Sequence, residues 1–286
     1  MPVPSLAARL EAIPQLALVL SLGATMFAFD FCGSGKSDGD YVSLGFFERE
    51  DLKAVVEHLR GTGTVSTIAL WGRSMGAATS LMHGDRDPSI AAMILDSSFS
   101  DLTTLAEEMV DKGRSQGLTV PGFVVSIAIS MIRGSVKKQA GFNIKDISPI
   151  KNVDKCFIPA LFVAGEGDDF ILPHHSQQIY DAYAGDKNLV RFEGDHNDIR
   201  PGFFIDSACI FMKQVLLISE EQTLDLPLDG EGRPLAFGAA LRAHHAIEQR
   251  ALDGLLALRQ LAQLFNVIDE DGDGTIDVNE LERWLR

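Results

Sequence analysis

Thr67-Ile68-Ala69-Leu70-Trp71-Gly72-Arg73-Ser74-Met75-Gly76-Ala77-Ala78 decides the reading of this chain. Thr67–Trp71 is short, apolar and bounded by turn residues, as a buried strand is. Gly72 to Gly76 then forms Gly-x-Ser-x-Gly, and an Ala-rich helical pattern follows. A strand that turns sharply into a helix lifts a serine hydroxyl above the sheet. Small flanking residues let the chain bend, and the Met75 N–H is left at the helix N-terminus, where it can bind an oxyanion. Ser74 is therefore a candidate nucleophile.

Working outward, Leu16–Leu22 reads as a buried helix ending at Gly23, followed by a strand over Ala24–Phe29. Arg9 with that apolar run could also be taken for a secretory signal, but Glu11 and Pro14 interrupt it. Asp30 to Gly39 is a glycine-rich loop. Its Gly-x-Gly completes no phosphate-binding motif. Leu44–Leu59 has one apolar side, the mark of an amphipathic helix. Further strands are expected at Ala91–Leu95, Ala160–Ala164 and Leu189–Phe192. Helical patterns separate most of them, which predicts an α/β domain with a mostly parallel sheet and helices on both faces. Residues 99–148 interrupt the alternation. They read as a helical insertion, either a lid over a pocket or a plain structural addition.

A serine hydroxyl needs a base, and the base an orienting carboxylate. Of seven histidines, His58 falls in a predicted helix and His83 near a helix end, and His174 and His175 open a helix. His244 and His245 lie in the tail. His196 differs: it lies in Glu193-Gly194-Asp195-His196-Asn197-Asp198, directly after a strand, where sheet proteins place functional loops. After the preceding strand the chain reads Gly165-Glu166-Gly167-Asp168-Asp169-Phe170-Ile171. Asp168 and Asp169 both qualify as the carboxylate, with Asp168 preferred for its spacing from Gly165. The resulting order is Ser74, Asp168, His196.

These pieces, with Phe29 to Ser37 and Asp96-Ser97-Ser98-Phe99, resemble the α/β-hydrolase superfamily over about Ser5 to Leu217. The similarity is greatest to serine aminopeptidase-like (S33) and acyl-protein depalmitoylase-like serine hydrolases. It implies a hydrolase acting on a small-molecule or acylated substrate through an ester, thioester or amide. In that family, strands precede the first helix and a His-Gly-type loop supplies a second oxyanion N–H. This sequence starts at or just before that helix, which reads as an N-terminal truncation. One such donor contributes about 2.7–4 kcal/mol of transition-state stabilisation. The competing expectation is therefore a catalytically inactive, hydrolase-like scaffold acting as a calcium-binding or interaction protein.

The calcium expectation comes from the C-terminus, Asp269-Glu270-Asp271-Gly272-Asp273-Gly274-Thr275-Ile276-Asp277-Val278-Asn279-Glu280. Asp269, Asp271 and Asp273 offer side-chain oxygens at loop positions 1, 3 and 5. Gly274 permits the sharp turn, Thr275 offers its carbonyl, Asp277 binds directly or through water, and Glu280 binds with both oxygens. Apolar stripes flank the loop, at Leu258, Leu261, Leu264, Phe265 and Ile268 before it and Val278, Leu281, Trp284 and Leu285 after it. The stretch resembles an EF-hand binding Ca2+. No second loop is visible, so a lone hand is expected to bind weakly or to pair with another chain.

Composition fits this division. The chain has 286 residues, 25 basic and 40 acidic, a net charge of −15. Glu220 to Arg286 carries 14 acidic and 6 basic residues and no Lys. Nucleic acid is a poor partner for such a surface. No apolar run is long enough for a transmembrane segment. Three scattered cysteines form no metal spacing or disulfide framework and suggest a reducing, cytoplasmic setting. The expected division is residues 1–219 for the hydrolase domain, 220–236 for a linker and 237–286 for a helical EF-hand segment.

Overall fold

The computed structural model describes residues 8–115 and 122–223. The expected calcium loop at 269–280, the helices expected to flank it and most of the expected linker lie outside the described residues. Seven α-helices are described: α1 (Ile13–Ser21), α2 (Glu48–Gly61), α3 (Met75–Gly84), α4 (Leu102–Ser115), α5 (Gly122–Ala140), α6 (Pro173–Ala182) and α7 (Gly202–Val215). Four strands join them: β1 (Ala69–Arg73), β2 (Ala92–Asp96), β3 (Ala160–Gly165) and β4 (Lys187–Phe192). Residues 8–105 and 145–223 form one compact unit, which holds the sheet; residues 106–115 and 122–144 fall in a second, helical one.

The sheet is parallel throughout, in the order β1-β2-β3-β4. Every residue of β2 and β3 is buried. A strand covered on both faces selects apolar residues at each position, which is why Ala92-Met93-Ile94-Leu95 and Ala160-Leu161-Phe162-Val163 read as unbroken apolar runs.

Successive side chains still point to opposite faces. Met93, Leu95, Ala160 and Phe162 face one core, completed by Leu52 and Val56 of α2, Ala77 and Leu81 of α3, and Ile179 of α6. Ala92, Ile94, Leu161 and Val163 face the other, completed by Leu22 just beyond α1 and by Phe204, Ala208, Phe211 and Met212 of α7. Large side chains fully buried in this way each contribute about 1.5–3 kcal/mol. The two layers hold the C-terminal ends of the strands at one edge of the sheet, and Ser74, Asp168 and His196 each follow a strand at that edge.

Two local expectations are corrected. Ala24–Phe29 forms no strand. A strand persists only where its backbone groups meet a ladder, and this segment pairs with none of the four. Two of its apolar residues pack instead, Phe29 against the α2–α3–α6 core and Ala24 against the α7 core, while Phe27 is exposed. Helix α2 begins at Glu48 rather than Leu44. Leu44 and Gly45 have φ of 57° and 123°, outside the right-handed helical region. The buried Glu48 carboxylate folds back and accepts the N–H groups of Ser43 (2.7 Å) and Gly45 (2.8 Å), which fixes the turn and puts negative charge at the helix N-terminus.

Candidate active site

The turn between β1 and α3 is built by close backbone approach. A Cβ placed on Gly72 would lie 2.3 Å from the carbonyl carbon and oxygen of Gly76, so no larger residue fits there without opening the turn. Ser74, at the apex, has φ 52° and ψ −117°. Such a conformation costs a non-glycine residue about 1–3 kcal/mol and persists only where the surroundings hold it. They do so at both ends. The Ser74 N–H donates to the Asp96 carbonyl (2.8 Å), and the Ser74 carbonyl accepts from the Ala78 N–H (3.0 Å). Met75 opens α3, where the first N–H groups have no intrahelical acceptor.

The carboxylate and the imidazole meet at the ends of β3 and β4. The two turns are laced together: the Glu166 N–H donates to the Phe192 carbonyl (2.8 Å) and the Gly167 N–H to the Gly194 carbonyl (3.0 Å). A Cβ on Gly165 would come within 2.6 Å of the Gly194 oxygen, so this contact needs glycine. Asp168 is 2% exposed. One of its oxygens accepts the N–H groups of Phe170 (3.0 Å) and Ile171 (2.7 Å). The other lies 2.7 Å from His196 Nδ1. Of the two carboxylates offered by the sequence, Asp168 is therefore the one at His196, while Asp169 is exposed. An ionised Asp168 takes the Nδ1–H, which leaves Nε2 as the basic nitrogen. The Phe170 ring packs against the imidazole with centroids 5.2 Å apart.

A side-chain bond ties the histidine loop to the serine turn. Arg73 donates to Asn197 Oδ1 at 2.8 Å, which joins the residue before Ser74 to the residue after His196. No hydrogen bond joins Ser74 Oγ to His196 among the described residues. Within its own loop, the Asp195 N–H donates to Asp198 (2.7 Å) and the His196 N–H to Asp195 (2.6 Å).

Other described candidates have different surroundings. His58 is exposed on α2. His83 is 2% exposed and neither ring nitrogen has a hydrogen-bond partner. Burial lowers its pKa, opposed by the Asp87 carboxylate. His175 is fully buried, with Nδ1 2.8 Å from Ser100 Oγ. The Cys32 thiol has its pKa raised by its hydrogen bond to Asp51 and by burial, which disfavours the nucleophilic thiolate. Three residues around the site drew no attention as candidates in the sequence: Phe170, Asp96 and Arg200. Asp96 carried a faint signal, a carboxylate ending an otherwise apolar strand.

Residues 15–126 match the sequence model of the family described as "Serine aminopeptidase, S33", and residues 260–286 that of "EF-hand domain". The chain is 29% identical to YqkD, an uncharacterized protein of Bacillus subtilis, over 65% of this chain and 60% of that protein. It is also 29% identical to YfhR, an uncharacterized protein of Escherichia coli strain K12, over 60% of this chain and 53% of that protein. The chain thus spans between half and two thirds of the length of these relatives. Among solved structures it is similar to the Pyrococcus furiosus esterase Pf2001, with a TM-score of 0.57, 20% identity, and coverage of 74% of this chain and 80% of that one. It is also similar to a Paleococcus ferrophilus monoacylglycerol lipase, with a TM-score of 0.55, 18% identity, and coverage of 76% and 93%. No helix among the described residues is long and apolar enough to cross a membrane. The parallel four-stranded sheet with helices on both faces agrees with these structures, and the chain has the α/β-hydrolase fold.

Proposed function

We propose that this chain is a serine hydrolase that cleaves an ester, thioester or amide of a small-molecule or acylated substrate, and that its C-terminal segment binds calcium. The observation that carries the enzymatic half is the buried Asp168–His196 pair at 2.7 Å, one link away from the strained Ser74 turn. Ser74 Oγ attacks the substrate carbonyl as His196 Nε2 takes its proton. Asp168 holds the imidazole in the required tautomer and stabilises its charge. The Met75 N–H receives the oxyanion, His196 then protonates the leaving group, and water repeats the sequence on the acyl-enzyme.

In the tail, Asp269, Asp271, Asp273, Asp277 and Glu280 with the Thr275 carbonyl form an all-oxygen donor set suited to a hard cation. The match of residues 260–286 to the EF-hand family supports this. We assign residues 1–219 to the hydrolase domain, 220–236 to a linker and 237–286 to the calcium segment, a lone hand whose pairing partner is another chain.

One experiment addresses both halves. Turnover of a short p-nitrophenyl ester is followed while calcium is titrated and Trp284 fluorescence recorded. The account expects turnover that Ser74→Ala abolishes, and a saturable fluorescence change that Glu280→Gln removes. Equal turnover by Ser74→Ala overturns the first half. Fluorescence that ignores calcium overturns the second. Folded protein with calcium binding and no turnover at all would establish the scaffold reading instead.

A further inference from the structure

Arg200 lies between the histidine loop and α7, and its side chain is 8% exposed. It faces Asp96, whose side chain is 2% exposed, at the C-terminal end of central strand β2. Nε donates to Asp96 Oδ2 at 2.8 Å and one terminal nitrogen to Oδ1 at 2.9 Å, a bidentate pairing. The same terminal nitrogen reaches the carbonyl oxygen of His196 at 3.1 Å. The other terminal nitrogen donates to the Asp198 carbonyl at 2.7 Å, with the Asp195 carbonyl at 3.5 Å. The guanidinium lies 4.7 Å over the Phe192 ring.

We infer that Arg200 and Asp96 are positioning residues that set the reach of His196 toward Ser74, an inference that rests on the hydrolase reading above. The argument follows one unbroken path of hydrogen bonds. The Ser74 N–H donates to the Asp96 carbonyl, the Asp96 carboxylate accepts from Arg200, and Arg200 donates to the backbone carbonyl of His196. Nucleophile and base are thus referred to the same residue at the end of β2, one through its main chain and the other through its side chain. Asp96 also accepts from Ser97 Oγ at 3.0 Å, which fixes the carboxylate in the plane that Arg200 needs.

A stabilising role alone does not account for this arrangement. An ion pair taken out of water about breaks even against apolar groups of the same shape. The neighbouring core positions on β2, Ala92 and Ile94, are apolar. What a charged fork offers here, and an apolar side chain cannot, is simultaneous capture of one carboxylate and the carbonyls of the loop that carries the base. Asp168 orients the imidazole ring from one side; Arg200 places the backbone from which the ring hangs. Lysine can keep the charge beside Asp96 but cannot make the fork.

The test compares full-length wild type, Arg200→Lys and Arg200→Ala on p-nitrophenyl acetate, with rates expressed per folded chain from circular dichroism. The expected result is a kcat lower by about 10²-fold with little change in KM, as for a base held slightly out of place. Added guanidinium ion should restore part of the rate to Arg200→Ala and none to Arg200→Lys, whose ammonium occupies the space. A purely structural role predicts a lower melting temperature with an unchanged kcat per folded chain, and that outcome overturns the inference. If Arg200→Ala does not fold, Arg200→Lys decides. If wild type shows no Ser74-dependent turnover, the hydrolase reading falls on its own. The proton NMR signal of His196 Nδ1–H then decides the positioning role: loss or broadening in folded Arg200→Lys supports it, and an unchanged signal overturns it.

Discussion

The serine turn and the histidine loop lie at the same edge of the sheet, yet they are held in place by different means. The turn at Gly72–Gly76 is a matter of main-chain groups: a glycine that no Cβ can replace and a strained Ser74 within five residues, with the Asp96 carbonyl of the neighbouring strand accepting the Ser74 N–H. The histidine loop is tied down by side-chain pairs that span the chain, Arg73 with Asn197 and Arg200 with Asp96, partners 124 and 104 residues apart. Local sterics leave a spacing pattern in the sequence; long-range polar contacts do not. The contrast is that main-chain contacts within the turn and to the adjoining strand hold the nucleophile, whereas side chains reaching across the sheet place the base.

The comparison can be broken first at the acid. Asp168→Asn keeps the shape of the pair but favours the wrong imidazole tautomer, and kcat for a short ester should fall by about 10⁴-fold with the fold intact. A modest loss would mean that the 2.7 Å contact with His196 is not what prepares the base.

The next effect belongs to the turn. Gly72→Ala forces a Cβ against the Gly76 backbone, and chemical denaturation should show a loss of about 3 kcal/mol. Little change would show that the turn can relax, and that its glycine is not a steric requirement.

The smallest effect lies away from both regions, at His83. Burial lowers its folded pKa, with Asp87 opposing. The unfolded chain therefore takes up a proton first as pH falls through the ordinary value of 6.5, and stability drops on the acid side of that value. His83→Gln cannot take up that proton. The melting temperature of the variant should fall less than that of wild type between neutral and mildly acidic pH, and parallel curves would refute the assignment.

Most of the sheet was legible because buried parallel strands are written as apolar runs. β2 and β3 lie within one residue of their expected bounds. Ala24–Phe29 carried the same signal but pairs with none of the described strands, since apolar composition alone does not specify a ladder partner. The start of α2 was misjudged because the amphipathic period continues through Leu44, while the Glu48 side chain sets the turn. Asp168 and Asp169 were close to indistinguishable in sequence; two main-chain N–H groups and His196 Nδ1 distinguish them in space. Arg200 left no local trace, because the contact that gives its loop bonds a fixed reference is the one to Asp96, 104 residues away.

The central claim is that Ser74 is an activated nucleophile. Intact-mass and peptide analysis after exposure of the full chain to a fluorophosphonate measures this most directly. The account predicts one stoichiometric adduct on Ser74, slowed in Asp168→Asn. Folded protein that stays unlabelled at Ser74 would contradict it.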